Sequence, residues 1–200
     1  MTNMLGIGGS PRKGGNSDIL LDRVLRGVRG AGATTETVQL RDYSFQSCIG
    51  CERCRREARC AGLQDDMQAI YPMIERSRGI VAVSPIHGYT VSALMKAFLD
   101  RLYCYYDFTE PRPGPVASRL AGQGRKAVIV AVGEQATYEL GGMDSTLNIL
   151  RRNLEILGFD IVGELPVLGV FERGEVLKRP DVLETAEELG AQLGRALNET

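Results

Sequence analysis

The 200-residue chain contains no tryptophan and only one histidine, His87, and its 24 Lys plus Arg against 25 Asp plus Glu leave a net charge of −1. A charge this close to zero provides no basic field for sequence-independent nucleic-acid binding, so nucleic acid is excluded as an expected partner. No apolar run approaches the ~18–20 residues of a membrane-spanning helix, so no membrane partner is expected. The start, MTNMLGIGGSPRKGGNS, has no basic stretch followed by a long apolar one. A secretory route is therefore not expected, and the cytoplasm is the expected compartment. Cysteine is scarce except in one place: four of the five fall within CIGCERCRREARC, Cys48 to Cys60. An odd count in a reducing compartment argues against a disulfide framework and leaves metal or cluster ligation as the better use of four close thiols. A chain of this length buries roughly 70% of its unfolded surface and needs no covalent or metal staple to fold. The expectation is one domain over residues 1–200, carrying a cysteine-rich insertion at about 44–64.

The apolar pattern alternates between strand and helix. Met4–Gly9 reads as a buried strand followed by the loop SPRKGGNS. From Ser17 the spacing is helical (Leu20, Leu21, Val24, Leu25, Val28) and stops at Gly30 and Gly32. Thr34–Leu40 is β-branched and strand-like. A helix is expected from Asp65–Asp66, with Pro72 kinking or dividing it. Gly79–Ile86 is a buried strand, Ser92–Leu102 a helix, and TEPRPGPVASRLAGQGR a surface loop. Lys126–Gly133 is a third apolar strand, Thr146–Leu157 a helix, DIVGELPVLG the last strand and Asp181–Leu197 the closing helix. The order β-α-β-α-β-α-β-α-β-α, with strands apolar throughout, predicts an α/β, doubly wound parallel sheet with helices on both faces. Such sheets hold ligands beyond the carboxyl ends of their strands.

The first β–α loop, GGSPRKGGNS, lies where a doubly wound sheet binds phosphate. A helix N-terminus favours an anion there. Gly14 and Gly15 let the main chain approach closely, Ser10, Asn16 and Ser17 offer donors, and Arg12 and Lys13 add charge. A Walker A loop is excluded, because Gly15 and Asn16 stand where Lys and Ser or Thr are needed. A G-x-G-x-x-G dinucleotide loop is excluded by Pro11. The choice left is between a cradle for one terminal phosphate and an ordinary glycine-rich turn.

The cysteines are spaced C-x2-C-x2-C-x5-C (Cys48, Cys51, Cys54, Cys60). Three thiols in seven residues curl round one face of a [4Fe–4S] cube and a fourth closes it, much as in the ferredoxin C-x2-C-x2-C run. Zinc more often takes two paired knuckles separated by a longer loop. The interleaved Arg53, Arg55, Arg56 and Arg59 suit a cluster of net negative charge; a solvated basic loop, with Glu52 and Glu57, is the plainer account. Cys104, after a buried helix, reads as a core residue rather than a ligand.

GSPRKGGNS is similar to the phosphate loop of the NADPH-dependent FMN reductase-like branch of flavodoxin-fold proteins. SPIHGYTVSALMKAFLDR (Ser84–Arg101) resembles that branch's second signature. The cysteine spacing, followed by GLQDDM, narrows the resemblance to the iron–sulfur flavoproteins. It is clear over Met4–Arg101 and topological beyond. The resemblance implies a flavodoxin-like five-stranded sheet of order 2-1-3-4-5, with FMN and a [4Fe–4S] cluster as cofactors. It implies the FMN phosphate on Ser10, Arg12, Asn16 and Ser17, and the flavin ring against Pro85, Ile86, His87 and Gly88, with an edge near Gly133. Where the family often carries aromatic residues this chain has His87 and Gly88, leaving Tyr89 as the neighbouring aromatic. The resemblance further implies a homodimer or homotetramer in which each cluster faces a neighbour's flavin.

Three functions are consistent with these motifs. The first is a redox flavoprotein passing electrons between the cluster and FMN, from a ferredoxin-like donor to an oxygen species or quinone. The second is an NAD(P)H-dependent FMN or quinone reductase with zinc or nothing at the cysteines. The third is a redox-sensing binding module. His87 is the one candidate for a catalytic group, as a donor near the flavin; the alternative is a plain loop imidazole. The cysteines follow the second strand, which places them, on this reading, at the same end of the sheet as the flavin.

Overall fold

The computed structural model describes residues 3–107 and 116–198. Five long strands, β1 (Asn3–Gly8), β2 (Thr34–Gln39), β3 (Gly79–His87), β4 (Arg125–Val132) and β5 (Phe159–Val167), form one parallel sheet in the order β2-β1-β3-β4-β5. The helices are α1 (Asn16–Gly30), α2 (Met67–Arg76), α3 (Ala93–Arg101), α4 (Met143–Ile156) and α5 (Pro180–Asn198). The expected flavodoxin-like order is therefore the observed one.

Alternate residues of each apolar strand feed two separate cores, as the period of two requires. Leu5, Ile7, Ile80, Ala82, Ala127 and Ile129 pack under α2, α3 and α4. Met4, Val81, Val83, Val128 and Val130 pack under α1 and α5. Helices α1 and α5 cross at two glycines. A Cβ on Gly27 would lie 1.9 Å from the Glu187 carbonyl oxygen, and one on Gly190 would lie 1.8 Å from that of Val24. Any side chain there would force the helices apart.

Of the kink or break expected at Pro72, the break is not found: α2 runs through it. Pro72 sits on the exposed side of the helix, as does Gln68, whose carbonyl loses its partner and is left to solvent. α4 starts three residues before the expected Thr146, at Met143, whose side chain is fully buried. Of the expected surface loop from Thr109, residues 109–115 lie outside the described residues. Its next part supplies a two-residue strand, Ala117–Ser118, paired antiparallel with Tyr106–Asp107.

Candidate functional site

At the carboxyl ends of β1, β3 and β4 lies a cleft enclosing about 640 Å³, between the first β–α loop, the end of β3 and the loop after β5. Ser10, Arg12, Asn16 and Ser17 line one side, Pro85, Ile86 and His87 another, and Gly133 the floor. Two of the residues expected in the site do not line it: Lys13 is exposed, and Gly88 stands in a turn.

The first β–α loop gathers buried polar groups at a helix start. Ser10, Asn16 and Ser17 are 4%, 8% and 4% exposed, so three polar residues are buried at a helix start. The N-cap of α1 is Gly15, and no side chain caps the helix. Its first amides are thus left for a ligand. The loop is held from below at three points. Ser92 caps α3 by accepting from the Met95 amide (3.2 Å) and donates its own hydroxyl to the Gly9 carbonyl (2.5 Å). Arg41 donates to the Ser10 carbonyl (3.1 Å) and forms a two-pronged ion pair with Asp18 (2.9 and 2.8 Å). Asp18 in turn accepts from the Gly14 amide (2.7 Å). The loop therefore has its ligand-binding shape before any ligand arrives.

Asn16 and Arg12 do more than sequence reading assigned them. The Asn16 amide nitrogen donates to the Glu172 carbonyl (3.0 Å), and its oxygen accepts from the Val176 amide (3.1 Å). Arg12 donates to the Phe171 carbonyl (3.1 Å) and lies 4.9 Å from the centre of the Phe171 ring. Both residues pin the 171–176 loop over the cleft. Phe171, Arg173, Glu134 and Gln135 line the cleft and were missed from sequence. Their one signal is position: each follows the carboxyl end of a strand, where this topology puts ligands.

The opposite wall is a hairpin. His87 pairs with Thr90 across Gly88 (φ 54°) and Tyr89 (φ 66°), the two positive φ values of a type I′ turn. Tyr89 is thereby turned outward, 74% exposed, and does not line the cleft. The aromatic side chain at the cleft is Phe171 instead. Gln135 keeps one buried oxygen, Oε1, without a hydrogen-bond partner, while its Nε2 donates to the Gly141 carbonyl (3.1 Å). An orphaned polar atom beside a flat apolar wall (Pro85, Ile86) fits the polar edge of a ring ligand.

The cysteine segment is a closed loop. Ser44 and Asp66 bond to each other's main chain at its neck, through the Asp66 amide (3.2 Å) and the Ser44 amide on Asp66 Oδ2 (2.6 Å). Within it, Cys54–Glu57 forms one helical turn that sequence reading did not assign. All four cysteines line one small pocket that opens to solvent, with Arg101, Tyr103 and Cys104 also lining it. Cys48 and Cys51 are exposed, Cys54 and Cys60 half-buried and Cys104 buried. Burial, then the neighbouring Cys48, Cys60 and Cys51, push the Cys54 thiol up; burial pushes Cys104 up to about 12 and keeps it a protonated core thiol. Among the described residues no three His, Cys, Asp or Glu side chains form a group that could hold a metal ion as they stand.

The cavity and the cleft share no residue. α3 begins at the cleft, through Ser92, and ends at the cavity, through Arg101; its nine residues span roughly 14 Å. The two sites are thus separate within one chain, and Arg101 and Asp65 hold the cysteine loop at the far end of α3.

A parallel sheet of order 2-1-3-4-5, with an uncapped helix start facing Pro85 and Ile86 across a cleft, is a flavodoxin-like fold, and its family makes it an FMN-dependent oxidoreductase. The chain belongs to the NADPH-dependent FMN reductase family, whose model matches residues 2–165, and within it to the iron–sulfur flavoproteins. It is 30% identical over 192 residues to an iron–sulfur flavoprotein of Archaeoglobus fulgidus, covering 96% of this chain and 79% of that one. It is 28% identical over 201 residues to one from Methanocaldococcus jannaschii, covering 97% and 96%. The similarity thus runs well past Arg101, where motif reading left it topological. In fold it is similar to an NAD(P)H:quinone oxidoreductase from Methanothermobacter marburgensis, with a TM-score of 0.70 at 21% identity, over 96% of this chain and 98% of that one. Among the described residues no helix is long and apolar enough to cross a membrane.

Proposed function

We propose that residues 1–200 act as one FMN-binding domain whose cysteine loop, an insertion at about 44–64, holds a [4Fe–4S] cluster, and that the protein passes electrons between the two cofactors. The observation that carries this is the convergence of all four spaced thiols on one pocket, in a chain that also has a cleft suited to flavin. Three thiols within seven residues and a fourth six positions on support a cluster over the paired knuckles usual for zinc. FMN, when bound, supplies a two-electron acceptor that can release electrons singly.

The chain's residues supply position. Ser10, Ser17 and the α1 amides receive the phosphate, with Arg12 and Lys13 as the nearby positive charge. Asn16 fixes the covering loop. Pro85, Ile86, His87 and Gly133 bound the ring, with Gly88 in the turn beyond them, and His87 donates at its edge. Cys48, Cys51, Cys54 and Cys60 take the iron. Ile49, 56% exposed beside Cys48, and the separation of the two cofactor sites favour self-association, with a neighbour's flavin brought to each cluster. A ferredoxin-like protein or NAD(P)H is the donor, and an oxygen species or a quinone the acceptor.

Anaerobic purification tests the reading. A brown protein with about four iron and four sulfide per chain, one FMN, and slow or absent reduction by NADPH alone supports it. A yellow protein with stoichiometric zinc and no acid-labile sulfide, active with NAD(P)H, overturns it. A second measurement addresses the cradle. Asn16→Ala leaves the Val176 amide and Glu172 carbonyl unpartnered, at about 1–3 kcal/mol. FMN affinity, measured by quenching of flavin fluorescence, is expected to fall roughly tenfold to a hundredfold. Unchanged affinity would remove Asn16 from the site.

A further inference from the structure

Arg101, at the end of α3, is 2% exposed, yet every one of its five N–H donors has an acceptor. Nη1 donates to Asp65 Oδ2 (2.6 Å) and to the Gln46 carbonyl (2.9 Å). Nη2 donates to Asp65 Oδ1 (3.0 Å) and to Cys60 Sγ (3.5 Å). Nε donates to the Tyr71 hydroxyl (3.2 Å). One guanidinium therefore joins the chain just before the first cysteine, the chain just after the last, and the sulfur of the last cysteine itself.

A loop staple needs only Gln46 and Asp65. The donor aimed at sulfur has a different consequence. Asp65 grips the guanidinium on two oxygens and Tyr71 fixes its third nitrogen, so the plane of the fork cannot rotate away from Cys60. Cys60 is half-buried beside it, whereas Cys48 and Cys51 are exposed. The N–H···S contact is thus desolvated and held rigidly, which is the condition under which an outer-shell hydrogen bond tunes a thiolate-ligated centre. We propose that Arg101, positioned by Asp65 and Tyr71, is a positioning residue for the cysteine centre: it orients Cys60 and, through the N–H···S bond, sets the cluster potential above that of an unbonded ligand. The inference rests on the reading that these cysteines hold an iron–sulfur cluster.

The test is a reductive titration of the anaerobically purified holoprotein, following the cluster and the flavin separately by paramagnetic resonance and visible absorption. Arg101→Lys keeps a buried cation for Asp65 but loses the fork that reaches sulfur. Its cluster midpoint is expected to move negative by about 59 mV, a tenfold change in the one-electron equilibrium with the flavin, while the flavin midpoint stays in place. Should Arg101→Lys fail to fold, Tyr71→Phe loosens the same fork by one bond and is expected to move the midpoint in the same direction by less. A merely structural staple would leave the midpoint where it was, so an unmoved midpoint in a variant that retains its iron overturns the role of Arg101 alone. Wild-type protein without iron and sulfide overturns the cluster reading, and this inference with it.

Discussion

Cys54→Ser protein is expected to purify with its FMN and without its iron. Cys54 opens the single helical turn inside the cysteine loop and is half-buried there, with the other three thiols around it. Its thiol is held up first by burial and then by those neighbours, so the free thiol stays protonated and becomes a thiolate only when iron takes the proton's place. Serine offers a hard oxygen where iron and sulfide favour soft sulfur, and a cube with three protein ligands is poorly retained. Iron and acid-labile sulfide should fall from about four per chain to under about one. The flavin should be untouched, because the cysteine cavity and the cleft have no residue in common. Parallel iron, sulfide and FMN assays on one preparation decide the matter. Loss of both cofactors would mean that the cysteine loop serves the fold, and retention of iron would return the cysteines to an incidental role.

What could be read from sequence divides along physical lines. β1, β3 and β4 were visible because a strand buried on both faces is apolar throughout, and the five-strand order followed from the two flavin-branch motifs. The phosphate loop was legible as a loop: Ser10, Arg12 and Ser17 line the cleft as expected. Local pattern cannot show what a residue meets across the fold. Asn16 and Arg12 looked like direct anion ligands, but their side chains reach more than 150 positions along the chain to the 171–176 loop. Tyr89 looked like the ring's aromatic neighbour, yet two positive φ values in succession turn it to solvent, while Phe171 lines the cleft. Arg101 was only the last residue of the second signature and was given no role. Its burial became visible only when the topology brought Asp65 and Tyr71 against it. The setting of the cysteine loop has the same origin: a loop of some twenty residues closed at its neck is held by a side chain some forty residues away.

Arg125→Met is expected to lower stability by about 2–4 kcal/mol, on the scale of a lost buried polar network. Arg125 is 4% exposed at the start of β4, and its acceptors are main-chain oxygens at the end of α2. Nη1 donates to the carbonyls of Ile74 (2.8 Å) and Ser77 (2.7 Å), and Nη2 to that of Glu75 (2.8 Å). Gln123 Oε1 takes the remaining contacts at 2.9 and 3.1 Å. Burial holds the guanidinium below its ordinary basicity, and its counter-charge is the negative end of the helix rather than a carboxylate. Methionine fills much the same volume but donates nothing, leaving up to three carbonyls without their donor; the desolvation of a charge is relieved at the same time, which keeps the net loss below the sum of three orphaned groups. For a chain of this length the midpoint of thermal unfolding should fall by roughly 5–15 °C, read by circular dichroism on FMN-loaded protein. Arg125→Lys, which keeps the charge but reaches fewer of the carbonyls, should fall by about half as much. Because α2 also carries Tyr71 and follows directly on Asp65, the methionine variant should lose iron faster on warming than it loses flavin. Loss of the two cofactors at the same temperature would show that α2 and the flavin cleft unfold as one unit.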